Sequence, residues 1–244
     1  MVQLPEQLVL SLTPAPLLER IWGSFKYIWA DIQREQASAG QLRALVRSIA
    51  QLLGVLYDQD CLGNLKDSDS APLDELYGVL ENINQFLFKL QTNGEPLKLL
   101  LSKCDRVAQI DAYQDKILVC ARAFKIPQLF DMEAVQTAID DGRAADQKAL
   151  FERFDVMEKD NEQLEKGLDI QHSDIKAMAV SIRRYLKNEP QLGEDRQRQF
   201  LELVNRHLSH IIRRARMPDG ETCDWMVSKY DVEFGQEPIG TGGL

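Results

Sequence analysis

The chain has 244 residues, 44% of them hydrophobic and 27% charged, with 29 Lys/Arg against 38 Asp/Glu and a net charge of −9. This length suits one large or two small globular domains, and the acidic balance argues against a general nucleic-acid binder, which would carry a basic stripe. Four widely spaced cysteines, Cys61, Cys104, Cys120 and Cys223, without a CxxC pair, are the pattern of reduced thiols in a cytoplasmic protein.

No basic segment followed by an apolar run marks a secretory signal, and no run approaches the roughly 18 apolar residues of a membrane span. Contact with a membrane is therefore expected from the folded surface alone. The first helix is expected after Pro14 and Pro16, which suit a helix start, with Leu17, Leu18, Ile21, Phe25, Ile28 and Ile32 on one face. The second carries Leu42, Leu45, Val46, Ile49, Leu52, Leu53 and Leu56 at amphipathic spacing. A polar loop over 64–72 precedes a third, with Leu76, Val79, Leu80, Ile83, Phe86, Leu87 and Leu90. Gly94 and Pro96 end it. A fourth helix is expected from Cys104 to the neighbourhood of Pro127. One apolar stripe per helix predicts a four-helix bundle over residues 1–140. With no strand signal before residue 230, the fold class is all-α.

From residue 150 the positions Leu150, Phe154, Met157, Asn161, Leu164, Leu168, Gln171, Ile175, Met178, Ile182 and Tyr185 alternate four and three apart. That is a heptad seam with Asn161 at an a position, where one polar residue sets register. Two packings suit it: along the bundle, or against a second copy as an assembly seam. Gly167 and the polar stretch after it predict a break near 169–174. A last helix carries Phe200, Leu203, Val204, Leu208, Ile211 and Ile212 on one face, and residues 144–216 are expected to be helical. Residues 217–231 read as a linker and 232–244 as a strand with a glycine-rich turn containing Gly240, Gly242 and Gly243, and the tail from about Asp219 to Leu244 is expected to be poorly packed on the bundle.

His207 and His210 lie one turn apart, but no third ligand has metal-site spacing, so no metal is expected. No GxSxG, HExxH or P-loop motif is present, and no catalytic residue is expected. Basic residues cluster at two helix ends, Arg183, Arg184 and Lys187 on one, Arg206, Arg213, Arg214 and Arg216 on the other. If the two helices were parallel, these would merge into one patch for anionic lipid headgroups. If antiparallel, the ends would lie apart. The alternative role for these cations is to complement the helix dipoles.

The terminal run "DVEFGQEPIGTGGL" resembles the threshold of a protein kinase domain of the tyrosine-kinase-like group, Gly240 and Gly242 matching the first two glycines of G-x-G-x-x-G. The lysine and aspartates of the kinase core are not in the sequence, so no ATP and no other cofactor is expected. "QDKIL" (114–118), "KDNEQLE" (159–165) and "SIRRYL" (181–186) resemble the bundle-and-brace region of the mixed lineage kinase domain-like family and its plant and fungal relatives. The resemblance implies a non-catalytic cell-death signalling module. Such a module oligomerises, engages membrane phosphoinositides and is coupled through its brace to a kinase-like domain. Its expected partners are a second copy, a signalling protein or an anionic membrane surface reached on activation. A regulatory or adaptor domain of an active kinase is the alternative reading, and a third places enzymatic activity in residues beyond these 244.

Overall fold

The computed structural model describes residues 16–32, 38–65, 70–92, 95–124, 132–188, 195–215 and 228–230, which hold helices and turns and no strand. The helices are α1 (Pro16–Ile32), α2 (Ala39–Cys61), α3 (Ser70–Thr92), α4 (Pro96–Leu101), α5 (Lys103–Ala123), α6 (Met132–Met157), α7 (Asn161–Gly167), α8 (Ile175–Asn188) and α9 (Asp195–Arg214). The chain divides into two compact units, Met1–Gln91 with Val107–Asp146, and Thr92–Arg106 with Gln147–Leu244.

The first unit is built by helical periodicity. Ile21, Phe25, Ile28 and Ile32 on α1, Leu42, Leu45, Ile49, Leu52 and Leu56 on α2, and Leu76, Leu80, Ile83 and Leu87 on α3 are all buried. Each contributes about 2 kcal/mol on leaving water, which outweighs the few tenths per residue that separate helix propensities. Polar ties fix the packing. Ser24 donates to Glu81 Oε1 (2.6 Å), the Tyr113 hydroxyl to the Asn82 carbonyl (3.2 Å), and Gln114 Nε2 to the buried Ser48 hydroxyl (2.8 Å).

The expected four helices acquire a fifth partner, the first half of α6. At Gly40 and Gly142 the backbones of α2 and α6 meet so closely that a Cβ on Gly142 would lie 2.7 Å from Gly40 C and O. Next to this contact Asp146 Oδ1 accepts from Gly40 N (2.7 Å) and Oδ2 from Gln41 N (2.9 Å). Ser38 sits at φ 56° and makes no side-chain cap for α2, so a carboxylate 105 residues away serves the open amides of the helix start.

The second unit is assembled from distant pieces of the sequence around one apolar cluster. Phe154 of α6 and Phe200 of α9 stack with centroids 4.0 Å apart and planes 7° apart. Arg196 lies 5.9 Å from the Phe154 centroid and pairs with Asp155 (2.7 Å) and Glu158 (2.6 Å). The short α4, with Pro96 in its first turn, belongs to this unit rather than to the bundle domain expected over 1–140. Its last carbonyls are served by side chains: Arg106 donates to Leu99 O, and the buried Gln197 to Leu100 O (3.2 Å).

The heptad seam is corrected at Asn161, which is exposed as the first residue of α7. The helix stops after Met157, and Asp160, in extended conformation, accepts from Gln163 N (2.7 Å) as the N-cap of α7. A cap whose carboxylate satisfies an open amide outweighs continuation of the apolar repeat. The expected break near 169–174 is present. It is a Schellman turn, with Asp169 N donating to Lys166 O, Ile170 N to Glu165 O, and Asp169 at φ 51°. A second correction concerns the linker. Ser228 and Tyr230 are buried rather than loosely attached. The strand and glycine turn expected over 232–244, with Gly240, Gly242 and Gly243, lie outside the described residues, as do Arg216, Cys223 and Pro127.

Candidate functional sites

Residues 228–230 form a clamp within the second unit. Tyr230 enters the apolar cluster, where burial pushes its phenol pKa up. Ser228 and Ser181 share a hydrogen bond between their buried hydroxyls. Lys229 Nζ reaches Asp174 Oδ2 (2.7 Å) and Glu95 Oε1 (3.2 Å). It joins the N-cap residue of α4 to the residue before α8 across 134 and 55 positions of sequence. The Lys229 hydrogen bond holds the Asp174 carboxyl below its ordinary range, and Asp174, with Glu95, raises the ammonium in return.

The predicted assembly seam lies inside this same unit. Phe154, Met157, Leu164, Leu168, Ile175, Met178 and Ile182 are buried in its own core, and Leu150 is partly buried against it. The seam is used for intramolecular packing, one of the two uses expected of it, and its side chains are already covered. The unit must open before they can meet another chain.

Of the two arrangements expected for the basic helix ends, the antiparallel one is present. Helices α8 and α9 are antiparallel: Gln197, early in α9, donates to the hydroxyl of Tyr185, late in α8 (3.2 Å). At the opposite end Ile175 and Arg214 line one recess. Arg183, Arg184 and Lys187 thus lie at one end of the hairpin, and Arg213 and Arg214 at the other. Sixteen residues of α9 separate the level of Gln197 from Arg213, about 24 Å at the rise of an α-helix. Arg206 is exposed between them. Among the described residues no single cationic patch results.

At that second end the Schellman turn of α7 presents Ile170 and His172 toward α9, where His207, His210, Ile211 and Arg214 recur at helical spacing. Together with Asn161, Glu165 and Ile175 they enclose a recess of about 480 Å³. His207 Nε2 lies 2.9 Å from Glu165 Oε1. The sequence reading found His207 and His210 and passed over His172, whose approach depends on the turn at Asp169. Among the described residues no three His, Cys, Asp or Glu side chains converge as metal ligands.

On the first unit a groove of about 590 Å³ runs between α2 and α6, with Arg43 and Arg47 of α2 facing Glu133, Thr137 and Asp141 of α6. Its cations are matched by carboxylates, so it favours neither sign of ligand. Among the described residues no helix is long and apolar enough to cross a membrane. Fold and sites together define an all-α protein of two helical units, the second closed by a clamp. No protein-family model, curated protein sequence or solved structure matches the chain.

Proposed function

We propose that the chain is a non-catalytic helical signalling module whose second unit is held closed by Ser228–Tyr230 and becomes competent to bind when that segment is withdrawn. The observation carrying this reading is the clamp itself. Tyr230 is buried in the core that also covers the former seam, and Lys229 ties two helix starts through two carboxylates. The segment directly precedes residues 232–244, whose resemblance to a kinase threshold implies a neighbouring domain able to pull on it. Withdrawal would uncover apolar side chains of α6–α8 for a second copy or a signalling partner. Action as an adaptor on proteins is favoured over direct membrane attack by the separation of the cations on α8 and α9, although a cell-death role on anionic membranes follows from the same family resemblance.

The test is sedimentation velocity at micromolar concentration on the wild type and on Tyr230→Ala combined with Lys229→Glu, paired with dye release from phosphatidylserine vesicles. The reading predicts a monomeric wild type and a self-associating variant that leaves vesicles intact. Dye release by the variant would move the proposal to the membrane reading. A variant that remains folded, monomeric and inert would remove it.

A further inference from the structure

Residues 228–230 meet three kinds of group in a fixed order. Ser228 faces the hydroxyl of Ser181, buried on α8. Lys229 faces the carboxylates of Asp174, just before α8, and Glu95, the N-cap residue of α4. Tyr230 faces the apolar cluster. Hydroxyl, carboxylate pair and apolar slot thus make a face that takes three consecutive residues of one chain segment. The segment also carries its own shape. Tyr230 N donates to Ser228 Oγ (3.1 Å), and the Lys229 ammonium lies 5.0 Å from the centroid of the Tyr230 ring. These contacts are internal to the tripeptide, so they travel with it when it leaves the face.

Face and segment belong to different parts of the chain. The polar partners lie on α4, in the 168–174 connection and on α8, 47 to 134 residues before the segment. The segment itself is tethered to α9 through residues 216–227. A tether of that length reaches at most about 40 Å, so the segment can be delivered to another molecule without unfolding α9. There it would make the same hydrogen bond, ion pairs and apolar contact as within its own chain, and the exchange costs little beyond bringing two molecules together. Concentration separates the two arrangements. A short tether holds the segment near its own face at an effective concentration on the order of millimolar, so a second copy competes only once that segment has been withdrawn. Charge selects the occupant further. The chain carries a net charge of −9, so two copies repel as wholes. Asp174, with its side chain 22% exposed, is disfavoured without a cation beside it. Lys229 of an incoming segment answers both.

We propose that the face formed by Ser181, Asp174, Glu95 and the apolar slot is a docking site for a second copy of this chain, which fills it with its own Ser228, Lys229 and Tyr230. Docking of this kind rests on the withdrawal proposed above for the clamp, and it identifies the partner of the opened unit. The product is an exchanged dimer, reciprocal where both copies have opened, in which the second unit of one copy is closed by the segment of the other.

The experiment pairs two variants of the full chain. In the first, Lys229→Glu with Tyr230→Ala, the face is intact and its own occupant is lost. In the second, Glu95→Lys with Asp174→Lys, the occupant is intact and its own face is reversed in charge; Glu95→Gln with Asp174→Asn takes its place if the reversal unfolds the chain, as read by circular dichroism. The first variant, fluorescently labelled and at trace concentration, is titrated with the second and followed by anisotropy. The proposal predicts saturable binding that weakens with salt and is about tenfold or more tighter than binding of the second variant carrying Tyr230→Ala as well. A synthetic peptide of residues 226–232 should compete, and titrated alone it tests the face without the second variant. Equal binding with and without Tyr230, or no binding of either the second variant or the peptide, overturns the proposal. Binding of the peptide but not of the folded second variant overturns the second copy as occupant and puts a segment of another protein in its place. Hydrogen exchange in α8 of the first variant separates these results from a failure of the clamp. Faster exchange than in the wild type without binding refutes docking alone, and unchanged exchange refutes withdrawal and docking together.

Discussion

Each unit is closed by one charged side chain contributed from late in its sequence, and the two closures differ in kind. In the first unit Asp146 caps the start of α2, beside a glycine contact where two backbones touch. That closure cannot loosen without separating helices. In the second unit Lys229 bridges Glu95 and Asp174 with its side chain 40% exposed to water, between Tyr230, which enters the core, and Ser228, whose hydroxyl pairs with that of Ser181. Exposed ion pairs are worth about 1 kcal/mol or less, so this closure rests on one aromatic ring, one hydrogen bond between hydroxyls and a weak electrostatic bridge. The first is suited to permanence and the second to release.

The contrast can be broken most severely at Gly142. Gly142→Leu gains about 1 kcal/mol of helix propensity but drives a side chain into the backbone of Gly40. It should destabilise the first unit by about 3 kcal/mol or more, read as a lowered midpoint in urea unfolding. Tyr230→Ala should cost about 2–3 kcal/mol and act on the second unit alone. If both variants shift a single shared transition equally, the difference in kind between the closures is wrong.

Lys229→Gln tests the electrostatic part and should cost about 1 kcal/mol, less at high salt. Its pH dependence has a definite sign. The Asp174 carboxyl is held below its ordinary value by Lys229, so its contribution is complete above about pH 4 and fades as pH falls through the lower folded value. Lys229 is raised above its ordinary value, so its contribution is complete below about pH 10 and fades above it. Between those limits the stability difference between wild type and Lys229→Gln should be flat. A difference that varied between pH 5 and 8, about the histidine range, would point to another group.

The smallest expected effect is a gain. Asp169 adopts the left-handed backbone that glycine takes without strain. Asp169→Gly should therefore stabilise the turn that positions His172 by about 0.5 kcal/mol, measurable as a small rise in thermal midpoint. A loss would show that the aspartate side chain has a role beyond filling the position.

The same contrast marks what the sequence could disclose. The helices of the first unit were legible because each one alone carries its apolar period, Leu42 to Leu56 being the clearest. The seam was legible as a set of core residues, since Phe154, Leu164, Met178 and Ile182 are all buried. It misled as a continuous helix because a heptad count gives Asn161 the same standing as its neighbours. The pattern Asp160-x-x-Gln163, an acidic cap three residues before a glutamine, was the local signal that the helix restarts there. The clamp and the recess had no such signal. Ser228, Lys229 and Tyr230 have neither period nor motif, and their partners Glu95, Asp174 and Ser181 are 47 to 134 residues away. His172 joins His207 and His210 only through the backbone turn at Asp169. Contacts of that separation follow from tertiary packing, which local pattern does not encode.

The central claim is that residues 228–230 hold the second unit closed and can be released without unfolding the first. Hydrogen exchange followed by mass spectrometry, comparing the wild type with Tyr230→Ala combined with Lys229→Glu, tests this most directly. The account predicts faster exchange in α4, α8 and α9, with protection retained in α2 and α3. Unchanged exchange in α8 and α9, or an equal rise across α2 and α3, would contradict it.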